Sequence, residues 1–194
     1  MKVKRVGFAG YMGAGKSTAS RLLAGISGEI IDADNEAKRM MRSDPEIKGR
    51  IVEAFGGSVV DNGDLSFCTL GTIVFGSREN LLRLNAIVHP PLVRLIREKL
   101  EGSAGRNMVI DAALLPLWQL EPLFDTCIWI SAPLPLRFRR LLHARSDLPE
   151  NALRQRLLMQ ETVLAEPKSL EWTKIDNSHD LETLAGAVAP FMPE

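Results

Sequence analysis

The sequence predicts an α/β fold in which a five-stranded parallel sheet is covered by helices on both faces. Three observations predict it. Short apolar runs alternate with longer helical patterns, and strands joined by helical crossovers run parallel. The stretch Gly10-Tyr11-Met12-Gly13-Ala14-Gly15-Lys16-Ser17-Thr18 fits GxxxxGK[ST], a phosphate-binding loop, and stands between a strand-like and a helix-like run as such a loop must. With 194 residues, the chain has room for one well-packed domain with a small insertion.

The elements follow in order. Val3 to Ala9 reads as the first strand, apolar enough to be central. Ser17 to Gly25 reads as a helix ended by Gly25 or Gly28. Glu29 to Ile31 is a short second strand, and Asp32-Ala33-Asp34 stands at its carboxyl end, where ligands bind in open α/β sheets. Asn35 is expected to cap a helix over 36–42. From Pro45 to Leu100 the pattern is helical with no clear strand. Ile47, Ile51, Val52 and Phe55 have helical spacing, Asp61-Asn62-Gly63-Asp64 is a turn, Leu70 to Phe75 is a short helix, and Ser77 caps a helix that His89-Pro90-Pro91 stops. Strands at 108–110, 126–130 and 172–175 complete the sheet. Between the last two, helices over 134–144 and 150–164 flank a break at Ser146 to Pro149, and Asp180 caps a final helix.

The loop fixes the first piece of chemistry. Gly10, Gly13 and Gly15 let the backbone turn tightly and offer N–H groups to phosphate oxygens. The next helix presents its positive end to the same anion. Lys16 reaches the outer phosphates, and the Ser17 hydroxyl can ligate Mg²⁺. The chain is therefore expected to bind a nucleoside triphosphate. Asp34 is the candidate base for an attacking hydroxyl, with Asp32 the alternative and either able to serve Mg²⁺ through water. Asp111, ending an apolar strand, has the position of a magnesium-shell carboxylate. Arg137, Arg139, Arg140, Arg145, Arg154 and Arg156 straddle the late helix–break–helix. Arg140 and Arg145 are the ones expected at the transferring phosphate, any other being as readily a solvated face.

Composition narrows the partners. The 24 basic and 24 acidic residues cancel, so no global field points to nucleic acid or an anionic membrane. Cys68 and Cys127 make neither a disulfide framework nor a metal-ligand spacing and read as reduced thiols of a cytoplasmic protein, Cys127 buried in a strand. The first apolar patch is interrupted by glycines and runs into Lys16, so it reads as a strand and not a leader.

With these residues assembled, the chain resembles the dephospho-CoA kinases nearly end to end. The resemblance rests on the loop, on Ile31-Asp32-Ala33-Asp34, Ala54-Phe55-Gly56, Leu70-Gly71-Thr72-Ile73-Val74-Phe75 and Ala86-Ile87-Val88-His89-Pro90, then on Arg140-Leu141-Leu142 with Arg145, Gln160 and Asp176-Asn177-Ser178. It implies a P-loop NTPase fold of three layers (α/β/α), with a core at 1–34, 105–136 and 166–194, a helical acceptor-binding insertion at 35–104 and a lid at 137–165. It implies ATP with Mg²⁺ as phosphoryl donor and the ribose 3′-hydroxyl of dephospho-CoA as acceptor, in a protein read as a monomer with a homo-oligomer left open. Residue by residue, it implies Asp34 as base, Lys16 and Arg140 as catalytic, and Gly13, Ala14, Gly15, Lys16, Ser17, Thr18, Arg145 and Asn177 around the nucleotide. Asp34, His89 and Asp111 fall on the acceptor side, and Ser17, Asp32 and Asp111 near the metal. Three stretches depart from the family's pattern. Ser66-Phe67-Cys68 replace an Asp-Arg pair that serves acceptor phosphate, Asp111-Ala112-Ala113-Leu114-Leu115 lacks a proline, and the lid is one residue longer between Arg140 and Arg145.

Two other readings compete with this one. The loop itself also resembles that of shikimate kinase, but Asp111-Ala112-Ala113 is not the glycine turn that enzyme needs. Thr173-Lys174-Ile175-Asp176 imitates a guanine-reading motif, yet the companion Asp-x-x-Gly of a GTP switch is absent.

Overall fold

The computed structural model describes residues 4–24, 28–103, 106–144 and 148–192. The elements run β1 (Arg5–Gly10), α1 (Lys16–Ala24), β2 (Glu29–Asp32), α2 (Ala33–Ser43), α3 (Pro45–Phe55), β3 (Val60–Asp61), β4 (Asp64–Leu65), α4 (Phe67–Phe75) and α5 (Arg78–Glu101). Then come β5 (Met108–Asp111), β6 (Thr126–Ser131), α6 (Leu134–Ala144), α7 (Glu150–Val163), β7 (Trp172–Asp176) and α8 (Leu181–Val188). Five strands pair in parallel in the order β2-β5-β1-β6-β7.

The layers follow from the two-residue period of the strands. Val6, Phe8, Val109, Ile128 and Ile130 face one side and meet Leu23 of α1 and Leu184 and Val188 of α8. Ala9, Ile110 and Trp129 face the other and meet Leu92, Ile96 and Leu100 of α5. A third cluster, with Ile47, Ile51, Leu70, Val74 and Ile87, holds α3, α4 and α5 together beside the sheet.

The structure corrects four local expectations. α5 does not stop at His89 but runs through Pro90 and Pro91 for 24 residues. An interior proline costs about 3 kcal/mol, whereas burying an aliphatic side chain is worth about 2 kcal/mol. Ile87, Val88, Leu92, Ile96 and Leu100 are all buried on this helix, so packing outweighs the missing hydrogen bonds. The block from 45 to 100 does contain strands: β3 and β4 pair antiparallel around Asn62 (φ 49°) and Gly63 (φ 86°), the Asn-Gly signature of a tight hairpin. α2 is capped by Asp32, which accepts from the Asn35 N–H, so Asn35 is the donor and not the cap. α4 begins at Phe67 because Ser66 accepts from the Thr69 N–H. The caps read at Ser77 and Asp180 are as expected.

Candidate active site

The phosphate-binding loop links β1 to α1. Gly15 has φ 104°, and a Cβ there would lie 2.2 Å from the Asn177 amide nitrogen, so only glycine fits. The loop closes on itself through Ala14 N–H to Tyr11 C=O (3.1 Å) and Thr18 N–H to Gly15 C=O (3.1 Å). Among the described residues the N–H groups of Gly13, Gly15, Lys16 and Ser17 have no acceptor, and these are the donors such a nest offers to phosphate. The Lys16 ammonium donates to the Tyr11 carbonyl at 3.3 Å, folded against its own loop.

Strand register brings the carboxylates to the loop. Asp32 and Asp111 are direct neighbours at the carboxyl ends of β2 and β5. The Ser17 hydroxyl donates to Asp111 at 2.6 Å. Burial raises the Asp111 carboxyl pKa, while Lys16 and the Ser17 hydroxyl oppose the rise. Asp34 lies two residues on, in the first turn of α2. Its side chain is exposed to solvent, with Lys16, Lys38 and Asp32 around it. Desolvation by the neighbouring protein raises its pKa, with the Lys16 charge the main opposing influence and Asp32 adding to the rise. Lys16, Ser17, Asp34 and Asp111 are thus brought together as expected. Asp32 is near them, but both its oxygens accept from Asn35, at 3.0 and 2.8 Å, so its first task is the cap.

The two late helices close the loop from above. A Cβ on Gly13 would come within 2.7 Å of the Arg137 carbonyl, so α6 rests directly on the loop. The Met12 N–H donates to Gln160 of α7 at 2.6 Å. Arg137 is buried, where a solvated helix face was equally open to it. It pairs with Glu161, donates to the Ala132 carbonyl at 3.0 Å and stacks over the Tyr11 ring at 4.7 Å. Arg140 donates to the Asn177 carbonyl at 3.0 Å, and its second terminal nitrogen is buried without a partner among the described residues. Asn177, expected at the nucleotide base, braces the loop by donating to the Ala14 carbonyl at 2.8 Å. His89 faces elsewhere: Trp118 donates to its Nδ1 at 3.3 Å, and burial lowers its pKa to about 4, so it is neutral. Arg145 lies outside the described residues.

Sequence reasoning named Gln160 only within the resemblance and Arg137 only within the arginine cluster, and gave none of these, nor Glu161 or Tyr11, a contact in the site. A signal existed for two of them. Gln160 interrupts the apolar stripe Leu153, Leu157, Leu164, and Arg137 sits three residues after Leu134 and four before Leu141. A polar group on an apolar stripe must find a partner, and both find the loop or its cover.

The family model for dephospho-CoA kinase matches residues 4–182. The chain belongs to the dephospho-CoA kinase family. A dephospho-CoA kinase of Deinococcus radiodurans is 39% identical over 188 residues, covering 94% of this chain and 88% of the relative. One from Carboxydothermus hydrogenoformans is 32% identical over 182 residues, covering 92% and 87%. Among solved structures, TT1252 from Thermus thermophilus superposes with a TM-score of 0.69 at 28% identity, covering 98% of this chain and 97% of that one. The dephospho-CoA kinase from Campylobacter jejuni superposes with a TM-score of 0.64 at 20% identity, covering 96% and 94%, which shows the fold they share.

Proposed function

We propose that the protein transfers the γ-phosphoryl group of ATP to the ribose 3′-hydroxyl of dephospho-CoA, giving coenzyme A and ADP. The observation that carries this reading is the convergence of Asp34 with Lys16, Ser17 and Asp111 beside the phosphate-binding loop. A carboxylate there can take the proton of an attacking hydroxyl, and the Lys16 charge favours its ionised form. The free N–H groups of the loop hold the outer phosphates. Lys16 leaves the Tyr11 carbonyl for the γ-phosphate. Arg140, with one nitrogen unpartnered among the described residues, supplies charge to the transferring group, and the sequence gives Arg145 the same role.

Among the described residues no three His, Cys, Asp or Glu side chains form a metal cage. The Ser17 hydroxyl and the Asp111 carboxylate, 2.6 Å apart, are hard oxygen donors of the kind Mg²⁺ takes alongside phosphate and water, so the residues present fit the ion. Mg²⁺ held there by Ser17 and Asp111, with Asp32 beside them, would neutralise phosphate charge. The parts divide as core (1–34, 105–136, 166–194), acceptor insertion (35–104) and lid (137–165). In this reading His89 shapes the acceptor pocket with Trp118, and the Asn177 loop flanks the base of ATP. No helix among the described residues is long and apolar enough to cross a membrane. From the sequence the enzyme is read as cytoplasmic and as a monomer, with a homo-oligomer left open.

Purified protein with Mg-ATP is expected to release ADP with dephospho-CoA and not with shikimate or without acceptor. ADP release that ignores dephospho-CoA would overturn the proposal.

A further inference from the structure

We infer that Arg42, with Lys38 beside it, forms the subsite for the diphosphate of the acceptor and sets the affinity for it. This rests on the function proposed above.

Asp34, Lys38 and Arg42 follow one another at intervals of four on α2. Residues so spaced share a helix side, and each interval advances about 6 Å along the axis. Lys38 is close enough to Asp34 to favour its ionised form. Arg42 lies one turn further, its guanidinium 4.9 Å over the ring of Phe67 at the start of α4. Asn35, Lys38, Arg39, Arg42 and Ser43 are all exposed along α2. Of its three cations, Arg39 is committed to an ion pair with Glu36. Among the described residues Lys38 and Arg42 have no carboxylate at ion-pair distance. The first turn of α4 also lacks an acid. Two unpaired cations therefore extend away from the base along one helix.

The acceptor has matching chemistry. Its 3′-hydroxyl must reach Asp34, and its diphosphate hangs from the 5′-carbon on the far side of the same ribose. In this proposal the acceptor lies with its diphosphate over Lys38 and Arg42. Sequence adds a second point: Ser66-Phe67-Cys68, at the start of α4, carry no cation of their own. Here the cation arrives from α2 and is stacked on Phe67, whose ring fixes the guanidinium plane while its N–H groups stay available for a bidentate phosphate contact.

The test compares wild type, Arg42→Gln, Arg42→Met and Arg42→Lys by steady-state ADP release, varying dephospho-CoA and ATP separately. Both neutral variants are expected to raise KM for dephospho-CoA about tenfold or more, with kcat and KM for ATP within about twofold, as loss of one charge-assisted contact implies. The lysine variant should recover part of the affinity. A KM for dephospho-CoA within twofold of wild type in Arg42→Met, whose stem still packs on Phe67, would overturn the assignment. Failure of the underlying function is distinguishable, because wild type would then show no dephospho-CoA-dependent turnover at all.

Discussion

Asp34 is two residues beyond the strand end, and that offset decides its chemistry. Asp32 spends its oxygens on Asn35, while Asp34 accepts no hydrogen bond among the described residues and has its pKa raised by desolvation. Asp34→Asn keeps the shape and removes the base. It is expected to lower kcat by about 10²–10⁴ while KM for ATP changes little; a change in KM alone would remove the base role. The two thiols give a second expectation at this scale. Cys68 is exposed, whereas burial pushes the Cys127 thiol up to about 12. A thiolate is the reactive form, so Cys68 alone should react with an aromatic disulfide reagent in the native protein. Rapid reaction of Cys127 before unfolding would contradict its place inside β6.

At the scale of elements, α7 does more than cover the loop. Gln160 holds the Met12 N–H, and Glu161 pairs with buried Arg137, so one turn of α7 fastens both the loop and α6. Arg137→Met leaves Glu161 and the Tyr11 face without their cation. Breaking a buried pair costs about 3–5 kcal/mol, and the partial exposure of Glu161 reduces this to about 2 kcal/mol. Chemical denaturation should show that loss, with ATP affinity falling alongside it. α5 contributes a pH dependence. His89 has a folded pKa of about 4 against an ordinary 6.5, so between those values the unfolded chain binds a proton that the native chain excludes. Its contribution is complete above pH 6.5 and is lost as pH falls towards 4, by about 2 kcal/mol after allowing for partial solvent contact. His89→Gln should therefore flatten the fall in urea midpoint between pH 6.5 and 4.5 relative to wild type. Parallel profiles would show that His89 is already charged in the native state.

At the scale of the whole molecule, the order β2-β5-β1-β6-β7 puts the loop, Asp32, Asp34 and Asp111 at the carboxyl end of the sheet, with α6 and α7 packed against the loop. Much of this was legible. The loop motif and the strand-end carboxylates are local patterns, and local patterns survive folding. The misreadings share a cause. Pro90 and Pro91 are local stop signals, overruled by the buried stripe from Ile87 to Leu100 that no short window weighs. The brace from Asn177 to Ala14 joins residues far apart in sequence, so no local pattern shows it. Arg137 reads as one cation among many until Tyr11 and Glu161 are seen around it. Long-range pairing is what a single sequence does not display.

The reading of the molecule as a whole turns on where the phosphate goes. Phosphorus NMR of the product formed from Mg-ATP and dephospho-CoA tests this most directly. A new phosphomonoester resonance correlated with the ribose 3′ proton, absent with Asp34→Asn, is the expected result. A phosphate at another position, or ADP formed with the acceptor unchanged, would contradict the placement of the 3′-hydroxyl at Asp34.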